Sequence, residues 1–313
     1  MAIIKVEMKK KAVIISIKGY HLNKKEELLF ENEKPWGVIL FKRNKKTFKQ
    51  IKSLIKKIKT LTKDNKFPIL IDEEGEKVSR LSRIINNHVS QKVFGDIYRF
   101  SPNLSAKLYS EYISNLCQVF KKIGININTV PVLDILREKT NKIIGNRSFS
   151  SSPLIVKKLG HLCLKNYTKK KIGTVIKHIP GHGCSTSDSH LTTPKVKEKY
   201  KILNKVDFFP FKSNCSLFAM TAHIVYLDID KKNVATFSKK IIKEIIRRKF
   251  NFKGILISDD ISMQALRYDI ITNAKKSISA GCNLVLYCAG NIKDNFKLIK
   301  SVPFIDKFTS KKT

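Results

Sequence analysis

Residues Lys177-His178-Ile179-Pro180-Gly181-His182-Gly183, followed by Asp188-Ser189-His190, gather a lysine, three histidines and a carboxylate within fourteen residues. A Pro-Gly turn with a second glycine behind it turns the chain sharply out of an apolar run and offers titratable side chains to a cleft. A tight turn would let the Asp188 carboxylate bond one imidazole nitrogen of His190, fix its tautomer and aim the other nitrogen at a leaving oxygen. A histidine tuned this way can act as general acid and then as general base. A second segment, Ser258-Asp259-Asp260, closes an apolar run further on. A carboxylate at Asp259 could attack an anomeric carbon and form a covalent glycosyl intermediate. Asp260 fits better as the N-cap of the helix expected over Ile261–Ala280.

Further polar groups fall at the ends of apolar runs. Asp72 closes one, Lys177 and His178 close another, and His223 follows a third. A fold held by packing alone has no use for an ammonium, carboxylates and imidazoles at such places, because each is costly to bury unpaired. Arg147, in the loop Asn146-Arg147-Ser148-Phe149, and Arg80, near Asp72-Glu73-Glu74-Gly75, add guanidinium groups. Asp and Arg side chains suit the hydroxyls of a sugar ring. Four histidines (His178, His182, His190 and His223) raise the question of zinc. No H-E-x-x-H spacing and no Cys-His cluster occurs, so no metal site and no cofactor are expected.

Eight short apolar runs carry these groups: Val13–Ile17, Gly37–Phe41, Pro68–Asp72, Asn128–Leu133, Thr174–His178, Leu217–Ala222, Gly254–Ser258 and Asn283–Tyr287. They read as strands buried on both faces. Between them lie stretches of helical periodicity. Thr47 is placed to cap the stripe Phe48 to Leu61, and Gly124 to end the stripe Leu104 to Ile123. Ser152-Pro153 reads as a cap with proline at the first helical position. Ser238 can cap the helix carrying Ile241 to Ile246, and a helix over Met263–Ala280 should stop at Gly281. Eight strands alternating with helices predict a (β/α)8 barrel, in which functional residues cluster at the carboxyl ends of the strands. An open doubly wound sheet is the alternative, but no G-x-G-x-x-G follows an early strand. With no repeat and no break in composition, residues 1–313 read as one domain, ending in a short frayed basic tail over 306–313.

The chain has 313 residues, 42% of them hydrophobic, enough for a sizeable core. No run approaches the roughly 18 apolar residues needed to cross a bilayer. No signal-peptide pattern opens the chain, so a cytoplasmic location without a membrane partner is expected. Six cysteines with no C-x-x-C pair read as reduced thiols. Lys and Arg number 62 against 25 Asp and Glu, a formal charge of +37. The basic residues are scattered, no interleaved aromatic signature of RNA binding accompanies them, and Lys, Ile and Asn are all abundant. Compositional drift accounts for this better than a dedicated nucleic-acid partner, although a positive potential would favour acidic ligands near a cleft.

At these residues the chain resembles glycoside hydrolase family 3, in particular the bacterial cytoplasmic β-N-acetylhexosaminidases of peptidoglycan recycling. The resemblance runs through Gly37–Phe41, Ile71-Asp-Glu-Glu-Gly75, Pro131-Val-Leu-Asp134, Asn146–Phe149, Lys177 to His190, Met220-Thr-Ala-His223, Ala235–Ser238 and Ile257 to Met263. It implies a retaining enzyme with Asp259 as nucleophile and His190 as acid/base assisted by Asp188. It implies that Asp72, Arg80, Arg147, Lys177 and His178 hold a terminal N-acetylglucosamine; His223, from its place after an apolar run, is expected to bind substrate beside them. The substrate implied is a muropeptide or chitobiose-like small glycan, handled by a monomer without metal or organic cofactor. Relatives acting on glucosides take a glutamate from a second domain, for which this chain looks too short. The chain departs from the family pattern in three places: Glu76-Lys77 stand where Gly-Arg is usual, Ser150 where glycine is usual, and Cys184-Ser185 where Asp-Thr is usual. Two alternatives are a phosphorylase of the same family and a non-catalytic basic barrel that binds nucleic acid or anionic envelope glycans.

Overall fold

All eight apolar runs form strands. In the computed structural model, which describes residues 10–82, 84–138, 140–141, 144–185 and 192–313, they close into one parallel barrel in chain order. The strands are β1 (Lys11–Ile15), β2 (Pro35–Leu40), β3 (Ile69–Ile71), β4 (Ile127–Asn128), β5 (Gly173–Ile179), β6 (Phe218–Thr221), β7 (Ile255–Asp260) and β8 (Leu284–Leu286). Pairing of Val13 with Val285 closes β1 onto β8. Side chains alternate across each strand. Ala12 and Ile14 therefore fill the barrel interior with Leu70, Val175, Ile257 and Leu284, while Val13, Ile15, Ile176 and Leu256 pack outward against the helices.

Strand β4 is much shorter than the sequence predicts, because Pro131 has no N–H to give to a ladder. The chain still follows β5: Lys177 N donates to Pro131 O at 3.2 Å and Leu133 N to Lys177 O at 2.7 Å. This keeps Asp134 beside the end of β5.

Helices separate consecutive strands on the outside, the longest being Pro102–Ile123. The expected caps hold: Thr47 accepts from Gln50 N, Ser152 from Ile155 N and Ser238 from Ile241 N. Gly124 and Gly281 end their helices at φ of +98° and +118°, where a residue without Cβ avoids steric penalty. Two expectations are corrected. The helix behind β7 begins at Ile270, not near Met263; Asp269 caps it by accepting from two backbone N–H groups. Asp260 is therefore not that helix's N-cap and instead accepts from Ser262 and from Cys288 N. The basic tail is not frayed. Asp306 caps a helix over Lys307–Lys312, Thr309 is buried, and Trp36 Nε1 donates to Thr313 Oγ1 at 3.2 Å. That contact lies at the amino-terminal end of the barrel, where Trp36 meets Phe218 edge to face at 5.6 Å. Among the described residues no helix is long and apolar enough to cross a membrane.

Candidate active site

A cleft of about 300 Å³ opens at the carboxyl ends of the strands, lined by Asp72, Glu74, Arg80, Arg147, Lys177, His178, His182, Asp259 and Asp260. That volume is at the small end of ligand pockets, enough for a compact ligand such as a sugar.

Asp72 follows β3, and a hairpin of Glu73–Gly75 with Val78–Ser79 comes next. Gly75 has φ +100°, and a Cβ there would lie 2.0 Å from Val89 O, so the turn requires glycine. Glu76, one of the departures from the family pattern, also has positive φ, at 44°. Here an L residue occupies a left-handed conformation that glycine adopts freely. The buried Lys177 ammonium, on β5, lies 3.1 Å from Asp72, 2.6 Å from Glu74 and 2.9 Å from Thr129 Oγ1. Arg80 reaches the other Asp72 oxygen at 3.2 Å, and Arg147 takes both Glu74 oxygens, at 2.7 and 3.0 Å. Burial alone would raise the pKa of Asp72. Lys177, Arg80 and the Thr129 hydroxyl outweigh it and hold the carboxyl well below the usual range. Burial opposes ionisation of Glu74 in the same way, yet Arg147 and Lys177 bring its pKa down to about 2. The result is a fixed alternation of charges, with directional donors and acceptors suited to ring hydroxyls.

His178 ends β5 on a buried carboxylate. Its Nδ1 lies 2.7 Å from Asp134 Oδ2, and Asp134 Oδ1 accepts the N–H groups of His178 and His182 at 3.2 and 2.7 Å. Burial works against the Asp134 charge, but the two histidines and these bonds leave its pKa lowered. An ionised partner means that Nδ1 carries the hydrogen, which leaves Nε2 for a ligand in the cleft. Replacing Asp134 with Asn should favour the opposite tautomer and cost about ten- to a hundredfold in kcat/KM, as loss of one charge-assisted bond does. Steady-state kinetics read this, and an unchanged kcat/KM would remove the orienting role.

Asp259 closes β7. Its Oδ1 accepts the Asp260 N–H at 2.8 Å. Burial pushes its pKa up, but His223, His178, that N–H and Lys177 together leave it lowered. His223 corrects the sequence expectation. It is fully buried, with Nδ1 2.7 Å from Thr236 Oγ1 and Nε2 3.0 Å from the Asp260 carbonyl. With both nitrogens held by protein, it orients the end of β7 and does not line the cleft.

Of the other predicted residues, Asp72, Arg80, Arg147, Lys177, His178 and Asp259 converge on the one cleft. Asp188 and His190 lie outside the described residues. The sequence motifs contain Glu74 and Asp134 without assigning them a role; Glu74 lies in the hairpin that follows β3 and Asp134 directly follows the apolar run Asn128–Leu133, and closeness to an apolar run is the sequence signal that marks them. Cys184 is buried and donates to Asp207. Ser150 is buried and accepts from Ser152 N at 3.1 Å, so serine replaces the usual glycine without left-handed strain. Among the described residues no group of three His, Cys, Asp or Glu side chains could hold a metal ion.

The buried imidazoles set an acid limit on stability. Burial lowers the pKa of His182 to about 4 and lowers that of His223. A histidine with a folded pKa below its unfolded value of about 6.5 gives stability that is present above that value and lost as pH falls. The thermal midpoint should therefore fall from about pH 6.5 toward 4. It should fall further below about pH 4.5 as Glu74 and Asp72 begin to protonate in the unfolded chain. Calorimetry across this range tests it; a midpoint constant from pH 7 to 4 would contradict the buried neutral rings.

The profile described as Glycosyl hydrolase family 3 N terminal domain matches residues 6–307. A protein named Beta-hexosaminidase from Nitrosomonas eutropha is 32% identical over 281 residues, covering 88% of this chain and 80% of its own. Another of that name, from Actinobacillus succinogenes, is 31% identical over 307 residues, covering 94% and 87%. The crystal structure of native NagZ from Neisseria gonorrhoeae superposes with a TM-score of 0.89 at 29% identity, over 97% of this chain and 89% of that one. With the profile spanning nearly the whole chain and a closed barrel carrying its charged residues at the strand ends, the protein is a glycoside hydrolase and belongs to glycosyl hydrolase family 3.

Proposed function

We propose that the protein removes terminal β-linked N-acetylglucosamine from small glycans, through a glycosyl intermediate on Asp259 and with His190, oriented by Asp188, as acid and then base. The observation that carries this reading is the cleft itself. A partly exposed carboxylate, Asp259, at the end of β7 faces a sugar-sized space ringed by Asp72, Arg80, Arg147, Lys177 and His178. The sugar choice draws support from relatives named Beta-hexosaminidase and from NagZ of Neisseria gonorrhoeae, solved in complex with N-trifluoroacetyl-D-glucosamine. The charge of +37 would favour an acidic aglycone, which muropeptide fragments of the cytoplasm supply. Neither a metal nor an organic cofactor has a step in this route, and a monomer suffices.

The test is hydrolysis of defined muropeptides and of an aryl β-N-acetylglucosaminide, with the first-formed anomer read by NMR. Retention of the β configuration is expected. Inversion would rule out the covalent route, and a sugar 1-phosphate formed in phosphate buffer would make the enzyme a phosphorylase. Replacing His190 with Ala should lower kcat/KM at least about 10²-fold on a substrate with a poor leaving group, the usual worth of an acid/base group. Full activity of that variant would dismiss His190 from the role.

A further inference from the structure

The segment leading to Asp188 and His190 is held at each residue from 181 to 185 by groups outside the sugar cleft or behind its wall. Tyr226 Oη donates to Gly181 O at 2.5 Å and Thr140 Oγ1 to Gly183 O at 2.7 Å. His182 N donates to Asp134 at 2.7 Å, and Asn141 N donates to Ser185 O at 2.9 Å. Cys184 Sγ donates to Asp207 Oδ2 at 3.2 Å. Asp207 is fully buried, and Arg137 closes on it with two donors, Nε to Oδ1 at 3.1 Å and Nη2 to Oδ2.

The fit of this pair against the segment is tight. A Cβ on Gly183 would lie 2.8 Å from Asp207 Oδ1 and 2.4 Å from Ile135 O; one on Gly181 would lie 2.7 Å from Asp207 O. The backbone of the segment thus rests on Asp207 with no room for a side chain between them. A buried ion pair adds little net stability compared with apolar residues of the same volume, but its directional bonds fix geometry. Neither residue lines the cleft.

We infer that the Arg137–Asp207 pair is a positioning device for the acid/base residues, fixing the backbone of residues 181–185, from which Asp188 and His190 follow in sequence. The inference rests on the proposed role of His190. A displacement of about 1 Å at a proton donor can cost on the order of 10² in rate. That loss should appear only where the departing oxygen needs a proton.

The test uses the full chain with Arg137→Met, Arg137→Lys and Asp207→Asn, and two substrates: an alkyl β-N-acetylglucosaminide and a dinitrophenyl one. Because kcat/KM reports steps through the first glycosyl transfer, slow hydrolysis of the intermediate does not enter it. For Arg137→Met and Asp207→Asn, kcat/KM should fall about 10²-fold on the alkyl substrate. It should change by less than about threefold on the dinitrophenyl substrate, whose leaving group departs without protonation. Arg137→Lys, which keeps the charge but not the two-pronged geometry, should lose less on the alkyl substrate and equally little on the other. Equal losses on both substrates, complete inactivity included, or no loss on the alkyl substrate would overturn the inference. His190→Ala separates the two ideas. If it shows the same split and the Arg137 variants do not, only the positioning role falls; if it shows no split, the acid/base assignment falls.

Discussion

Replacing Asp259 with Ala is expected on the proposed route to lower kcat/KM by at least about 10³-fold, because it removes the carboxylate assigned there as nucleophile, a role the remaining groups cannot supply. The substitution should leave the fold in place. Asp259 accepts the Asp260 N–H but spans no strands, and β7 remains paired with β6 and β8. The carboxyl is suited to attack. Burial disfavours its charge, but the nearby imidazoles, the Asp260 N–H and Lys177 keep its pKa below the ordinary value. It is therefore ionised at neutral pH and partly exposed to the cleft. Azide gives a second reading. Alanine vacates space at the cleft floor for a small anion, so azide should restore part of the turnover on a dinitrophenyl substrate and yield the α-glycosyl azide. Asp260 provides the contrast. Its carboxylate is engaged by Ser262 N, Ser262 Oγ and Cys288 N, so Asp260→Asn should cost less and show no azide response. Undiminished turnover in the Asp259 variant, or an azide-rescued Asp260 variant beside an unresponsive Asp259 one, would move the nucleophile elsewhere.

The barrel was legible because its strands bury both faces, and a run such as Thr174–His178 shows that as continuous apolar sequence closed by polar groups. The same signal located Asp72, Lys177, His178 and Asp259, all at strand ends. What could not be read was which partner each group takes. Glu74 meets Arg147, which lies 73 residues away, and His178 meets Asp134, which lies 44 away; only closure of the barrel brings them together. His223 had the right address and the wrong direction: Thr236 and the Asp260 carbonyl draw the ring inward. A helix start near Met263 is suggested by Met263 and Leu266, three residues apart and both buried. Their burial serves loop packing, where Thr193 Oγ1 donates to Ala265 O at 2.7 Å, and the stronger cap stands at Asp269. The terminal segment read as a loose tail because Lys307 to Lys312 is rich in lysine. Its order comes from the Asp306 cap and from Trp36, a tertiary contact invisible to composition.

Replacing Lys177 with Met should be the most damaging single change to both stability and binding. The ammonium is nearly inaccessible and serves Asp72, Glu74 and Thr129 at once. Methionine matches its length and leaves the buried Glu74 and half-buried Asp72 carboxylates facing each other across an apolar side chain. Breaking a buried ion pair by removing one partner costs about 3–5 kcal/mol. Arg80 and Arg147 still compensate the outer oxygens, so the lower part of that range applies. The pH dependence identifies the cause. In the parent, Glu74 and Asp72 have lowered pKa values, so their contribution is present above about pH 4.5 and is lost as pH falls. In the variant, burial and mutual repulsion are no longer opposed by the ammonium, and the folded pKa values rise. The variant then gains relative stability by taking up protons as pH falls. Denaturant titrations at pH 7 and pH 4 should show the gap between parent and variant narrowing at the lower pH, and Glu74→Gln in the Lys177→Met background should recover part of the loss at pH 7. A gap that stays constant with pH would mean that Lys177 acts by packing alone, and the charge lattice of the cleft would lose its central member.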